Sequence, residues 1–280
     1  MGERLHKVLA NAGFGSRRQI EQWIREGRIR INDRLAQLGD HVGEDDRIKI
    51  DGRPVSEKRL RPQQKHHVIM YNKPEGEIVS RHDERGRKSV FDRLPPLENG
   101  RWIAVGRLDL NSAGLLVFTT HGELANRLMH PSRLIEREYA VRVHGHVSDD
   151  QLEQLVHGVE LEDGFARFEE IVDSGGEGSN HWYHVVIMEG RKREVRRLWE
   201  AIGVQVNRLK RVRFGPLFLN SAVKAGQWRS LSREELRELS ELTEIPRDQF
   251  AEYAATEWRG NGAVSYTHMT LPTTSALCRS

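Results

Sequence analysis

Cysteine is almost missing from this 280-residue chain, which has one, Cys278. A single cysteine closes no internal disulfide, and that suits a reducing, cytoplasmic setting. Long apolar runs are missing too, with none near the roughly 20 residues that cross a bilayer. The opening MGERLHKVLANAG lacks the apolar segment of a secretory signal. Membrane association is therefore not expected. Net charge is small, +3, and aromatic residues make up 7%. What is present, 37% hydrophobic and 30% charged residues, excludes a coiled coil, a collagen-like repeat and a mostly disordered chain. The length allows one large or two modest domains.

The small net charge conceals an uneven distribution. Residues 1–65 hold 15 Lys+Arg against 10 acids, and residues 191–213 hold nine against two. Residues 231–258 reverse the balance, with three Arg against eight acids. Clustered cations attract polyanions through counterion release and long-range steering. Two such zones flanking an apolar centre favour a nucleic-acid partner over solvated helix faces.

Leu5, Val8, Leu9 and Ala12 recur at helical spacing up to Gly13, a residue suited to a left-handed cap. Ser16 then opens a second helix with Gln19 at the capping-box position and Ile20, Trp23 and Ile24 as its apolar face, ended by Gly27. RIRIN and DRIKIDG read as short strands. Lys7, Arg17, Arg18 and Arg28 cannot all face a core this small. Arg17 and Arg18 fall in the first turn of the second helix, where the helix dipole disfavours cations. A phosphate would offset that cost. SEKRLRPQQKHH (56–67) reads as a linker.

The central region offers four segments. VIMYNKPEGEIVS (68–80) is a strand broken by Lys73-Pro74 and a Gly76 turn. In WIAVGRLDLNSAGLLVFTT, two apolar strands bracket a polar loop that holds Arg107 and Asp109 between stiff elements. GELANRLM follows as a helix. REYAVRVHGHV (137–147) alternates cleanly, with Tyr139, Val141 and Val143 on one face. EGRKREVRRLWEAIG opens into a helix with Val195, Leu198 and Ile202 apolar, and VNRLKRVRFG follows as a strand. Arg196 lies next to that apolar face and can turn inward toward an acid, whereas Arg191, Arg193 and Arg197 are expected to meet solvent or phosphate.

The pattern AxAGFGSRRQIExWIREGRIRIN resembles the small RNA-binding domain named after a small-subunit ribosomal protein. GRLDLNSAGLLVFTT resembles the signature of pseudouridine synthases of the RsuA type, and YNKPEG, REYAV and EGRKREVRRLWEAIG resemble that family's other motifs in order. The resemblance implies an α+β chain: a small helix-helix-strand RNA-binding domain over 1–62, a linker at 63–67, and a catalytic domain over 68–245 built on a mixed, mainly antiparallel sheet. A C-terminal extension over 246–263 would follow.

It also implies an isomerase that converts a uridine of ribosomal RNA, large-subunit RNA favoured, to pseudouridine, with no cofactor or metal. Asp109 would be the nucleophile, attacking either the ribose or the pyrimidine ring. Arg196 would pair with it, and Tyr139 would stack on the base and serve or position a proton-transfer group. Arg107 would contact the backbone beside a flipped uridine. Lys7, Ser16, Arg17, Arg18, Arg28, Lys73, Arg191, Arg193 and Arg197 complete the expected RNA contacts, Lys73 in a supporting role. The protein is expected to be a monomer. A non-catalytic RNA-binding or ribosome-assembly factor, and a small-subunit rRNA synthase, are the alternatives.

One departure from the family pattern is His121, at a helix start where the family often has Asp; His caps less well, so His121→Asp is expected to raise the melting temperature. His181 and His184 lack a third ligand and their spacing puts them on opposite strand faces, so no metal site is expected. SGGEGSN (174–180) reads as a hairpin loop and SREELRELSEL as a capped acidic surface helix. VSYTHMTLPTT resembles translated sequencing-adapter read-through, so 264–280 is expected to be an adapter-derived or disordered tail.

Overall fold

The computed structural model describes residues 2–60, 65–145 and 147–251. Its N-terminal domain follows the sequence pattern closely. Helix α1 (Leu5–Asn11) buries Leu5, Leu9 and Ala10, and α2 (Arg17–Arg25) buries Ile20 and Ile24. Ser16 caps α2 by accepting from Gln19 N at 3.1 Å. These side chains pack on Ile29, Ile31 and Ile48 of a four-stranded antiparallel sheet. Its strands are β1 (Ile29–Ile31), β2 (Arg34–Leu35), β3 (Ile48–Ile50) and β4 (Arg53–Pro54), in the order β2-β1-β3-β4. Each fully buried Leu or Ile contributes about 1.5–3 kcal/mol, enough for a core this small.

The segment expected to be a linker is partly ordered. Glu57–Leu60 forms one helical turn. His66 pairs with Phe250 in an isolated parallel bridge. Residues 61–64 lie outside the described residues.

The larger domain is built on a nine-stranded sheet. Its strands are β5 (Val68–Lys73), β6 (Ile103–Val105), β7 (Ala113–Thr119), β8 (Arg137–His144), β11 (Glu170–Glu177), β12 (Asn180–Ile187), β13 (Gln205–Phe214), β14 (Leu217–Phe218) and β15 (Trp228–Ser230). A separate hairpin joins β9 (Val159–Leu161) to β10 (Gly164–Ala166). The main order is β11-β12-β8-β13-β7-β5-β15, with β14 on β13 and β6 on β7. Only β13 and β7 run parallel; every other pairing in this sheet is antiparallel. At that parallel junction Gly114 has φ +105°, and a Cβ there would stand 2.2 Å from the Arg211 carbonyl oxygen. Only glycine lets the two strands approach so closely.

The four helices divide between two cores. Helices α4 (Asp149–His157) and α5 (Glu194–Ala201) cover Tyr139, Val141 and Val143 of β8. Helices α3 (Gly122–Met129) and α6 (Arg233–Thr243) cover Val68 and Met70 of β5 and Leu115 and Val117 of β7. The opposite faces of those two strands, Ile69, Tyr71, Leu116 and Phe118, pack on Trp102 and Trp228.

Two expectations need correction. The sequence 174–180 is not one loop: β11 runs through Glu177 and β12 starts at Asn180, so the turn is confined to Gly178-Ser179. A register shift between Asp173 and Gly176 absorbs the glycines. The domain also runs past 245, since Phe250 is buried with Ile245 in the α3–α6 core. Residues 252–280, most of the expected extension and the whole expected tail, lie outside the described residues. Among the described residues no helix is long and apolar enough to cross a membrane.

Candidate active site

The loop between β6 and β7 displays one carboxylate and fastens its own backbone. Leu108 is buried beside Tyr139, Val195 and Leu209, while Arg107 and Asp109 on either side of it are exposed. Every main-chain oxygen from Asp109 to Ser112 is engaged. Lys73 Nζ donates to the carbonyls of Asp109 at 3.1 Å and Ser112 at 2.7 Å, and to Pro74 at 3.0 Å. Gly76 N donates to Leu110 O at 2.8 Å. Arg196 Nη2 donates to Asn111 O at 2.8 Å, and its Nη1 to Val206 O at 2.8 Å. Such fixation of a short polar loop by a strand, a turn and a helix holds the Asp109 backbone in one place.

Arg196 thus lies against the Asp109 loop, and Tyr139 shares a buried core with Leu108 and Val195, in arrangements that differ from those expected. Arg196 and Asp109 form no ion pair. The guanidinium spends its donors on backbone carbonyls and acts on Asp109 by holding the loop, and its Nε is buried without a hydrogen-bond partner. Burial and the nearby Arg193 charge lower the Arg196 pKa, against the opposing pull of Asp109. Tyr139 is not an open stacking platform: the residue is 7% exposed, within the core of α5 and β8.

Lys73 departs furthest from its expected role. It is fully buried, so it cannot meet RNA phosphate. Burial pushes its ammonium down to about 8, although Glu77, Asp109 and Glu75 all favour the charged form. Three carbonyl acceptors at once explain how a lysine persists there.

Most of the other expected RNA contacts are engaged within the protein. Arg28 forks onto Asp51 at 2.8 and 2.7 Å. Lys7 pairs with Glu3 at 2.6 Å. Arg197 binds Asp163 at 2.7 and 2.9 Å, and Arg191 reaches Asp163, Glu189 and Glu194. Arg193 pairs with Glu200 at 2.9 Å. Ser16 is occupied as a cap. Arg17, Arg18 and Arg107 are exposed and form no ion pair among the described residues.

Arg208 and Lys210 were not singled out in the sequence. They are exposed on β13 and form no ion pair among the described residues. Register puts Arg208 opposite Arg142 and Lys210 opposite Ala140, on the sheet face away from Tyr139 and Val141. With Trp182, Pro74, Glu75 and Lys224 they line a groove of about 660 Å³ next to the Lys73 turn. Their sequence signal was alternation: residues two apart on a strand share a face. His181 and His184 bind different carboxylates, Asp173 and Glu138, each at 2.7 Å.

Comparison with known proteins gives the family of both domains. The profile of RNA pseudouridylate synthase matches residues 67–201, and that of the S4 domain matches residues 3–48. Ribosomal large subunit pseudouridine synthase B of Escherichia coli (strain K12) is 54% identical over 261 residues, 92% of this chain and 89% of that one. The chain belongs to the RNA pseudouridylate synthase family.

The proteins of the same name from Vibrio cholerae and Pseudomonas aeruginosa are 54% and 55% identical, over 88% and 86% of this chain. This chain spans 76% of the Vibrio relative and 62% of the Pseudomonas one. A crystal structure of a pseudouridylate synthase, 23% identical, superposes with a TM-score of 0.59 over 85% of this chain and 99% of that one. That likeness shows the synthase fold. The S4 match spans both helices and the first two strands of the N-terminal domain and ends as β3 begins, and the synthase match spans β5 through α5.

Proposed function

We propose that this chain converts a uridine of large-subunit ribosomal RNA to pseudouridine. The observation that carries the reading is the exposed Asp109 carboxylate, displayed by a loop whose four successive carbonyls are each tied down. A nucleophile that must meet one atom of one flipped nucleotide gains most from such fixation.

The reaction is an isomerisation. The N1–C1′ glycosidic bond breaks and a C5–C1′ bond forms. C5 loses a proton and N1 ends with one, so no electrons are gained or lost and no cofactor is needed. Asp109 attacks the ribose C1′ or the pyrimidine ring, covalently holding one fragment while the base turns. Tyr139, which shares its buried core with Leu108, positions the base or its proton. Lys73 and Arg196 are positioning residues. Arg17, Arg18, Arg107, Arg208 and Lys210 contact RNA phosphates. The protein works as a cytoplasmic monomer. Incubation with unmodified large- and small-subunit rRNA, followed by mapping of pseudouridine, tests the reading: modification of the large-subunit RNA is expected, and modification of the small-subunit RNA alone contradicts the substrate assignment.

A further inference from the structure

The two domains meet at a small cationic pocket that the catalytic account does not use. Gly13, at φ +84° between α1 and α2, abuts Gly100; a Cβ on Gly13 would stand 2.4 Å from the Gly100 carbonyl oxygen. Beside this contact lies a cavity of about 190 Å³, lined by Asn11 and Arg17 of the N-terminal domain and by Arg101, Thr120, Gly122 and Asn126 of the synthase domain. Its volume equals that of about six waters. None of its ten lining residues is acidic.

Three features of the pocket are costly without an anion. Arg17 and Arg101 bring like charges together across the domain boundary, and Arg81 adds a third. Burial and these two arginines lower the Arg101 pKa. Arg101 Nε is buried with no hydrogen-bond partner among the described residues. Arg17 also stands in the first turn of α2, where the helix dipole disfavours a cation. Its Nη2 reaches the first residue of α3, 3.6 Å from where a Gly122 Cβ would lie, so a second helix N-terminus faces the same space. Glu123, the acid in the first turn of α3, is engaged by Arg127 at 3.0 Å.

An anion offsets all of these costs at once. Guanidinium groups and helix N-termini both suit phosphate oxygens, and the amides of Asn11 and Asn126 add neutral donors. We propose that this interdomain pocket binds one phosphate of the substrate RNA backbone, held jointly by Arg17 and Arg101. RNA would thereby fix the S4 domain against the synthase domain, since neither arginine alone completes the site. The inference rests on the RNA-substrate reading given above.

The test uses the full chain and an unmodified large-subunit rRNA transcript, with affinity measured from 50 to 200 mM KCl. For Arg101→Gln the expected result is affinity about 3- to 10-fold lower and a log–log salt slope smaller by about one, the signature of one lost phosphate contact. Asn126→Asp places a carboxylate among the arginines. It is expected to raise the melting temperature of the free protein while weakening RNA binding by a similar factor, an opposition that a misfolded variant cannot give. Unchanged affinity and slope in Arg101→Gln, or an Asn126→Asp protein that melts no higher and binds RNA like the wild type, overturns the proposal. Titration with inorganic phosphate alone separates a free-ion site: saturable sub-millimolar stabilisation of the wild type, lost in Arg101→Gln, would assign the pocket to the free ion and overturn the backbone assignment. Failure of the wild type itself to bind or modify the transcript would sink the functional reading, and this assignment with it.

Discussion

The Lys73 ammonium donates a 3.1 Å hydrogen bond to the main-chain carbonyl of Asp109. One buried cation thus fastens the residue whose side chain is the proposed nucleophile, and the same ammonium holds Ser112 and Pro74. Its pKa of about 8, lowered by burial, lies within reach of ordinary assay conditions. Above that pH the amine keeps two hydrogens for three acceptors. Activity is expected to fall between pH 7.5 and 9. Global stability is expected not to fall there, because the unfolded chain binds more protons than the folded one between about 8 and the ordinary lysine value. Lys73→Met should lose about 10- to 100-fold in kcat, show no alkaline limb, and lose roughly 2–3 kcal/mol of stability through its unpaired carbonyls. Rate profiles and melts collected over the same pH series check all three.

The arginines of residues 191–213 divide by partner. Arg197 is held by Asp163, whereas Arg208 and Lys210, lining the same groove as Trp182, form no ion pair among the described residues. Arg208→Gln/Lys210→Gln is expected to weaken rRNA binding about tenfold and to reduce the salt slope by about two. Arg197→Gln should change affinity less than twofold. Equal effects from the two proteins in a salt-dependent binding assay would contradict the division.

The N-terminal domain was legible because its elements are local: spacing, the Ser16 cap and Gly13 and Gly27 each act within a few residues. Asp109 was legible because a polar loop between two apolar strands leaves its acid little choice but exposure. What could not be read were partnerships across the chain. Arg196 was expected to pair with Asp109, but α5 aims it at the carbonyls of Asn111 and Val206, and only the tertiary fold reveals that. Lys73 resembled a solvent-facing cation because nothing local announces three carbonyls, two of them more than 30 residues away. The ion pair of Arg197 depends on Asp163 in the β9–β10 turn, likewise distant in sequence, and Arg191 adds the same Asp163 to its local partners Glu189 and Glu194.

His66 lies against His121 with ring centroids 4.3 Å apart. Burial, then the His121 and His67 charges, push His66 down to about 4. Burial lowers His67 and His121 as well. As pH falls from about 6.5 toward 4, the unfolded chain takes up protons that the folded chain refuses, so stability falls across that window. A melting-temperature series over that window should slope less for His66→Phe than for the wild type.

His121 does cap α3, accepting from Leu124 N at 3.3 Å, and its ring also packs edge-on to Phe250. The second role revises the expectation from sequence. Aspartate improves the cap by about 0.5–1 kcal/mol, and removal of the ring forfeits burial of about the same size. His121→Asp is therefore expected to change stability by less than about 1 kcal/mol, while His121→Ala, losing cap and ring together, should cost about 2 kcal/mol. Urea unfolding of the two variants beside the wild type decides this.

The central claim concerns the Asp109 carboxylate, and Asp109→Asn tests it with the least change of shape. Wild type and variant are incubated with the same unmodified large-subunit rRNA, and both RNA binding and pseudouridine are quantified. The expected result is retained binding with pseudouridine formation reduced by at least 10³-fold, the scale of loss when a nucleophile is removed. Pseudouridine formed by the variant at a rate near that of the wild type would contradict the account.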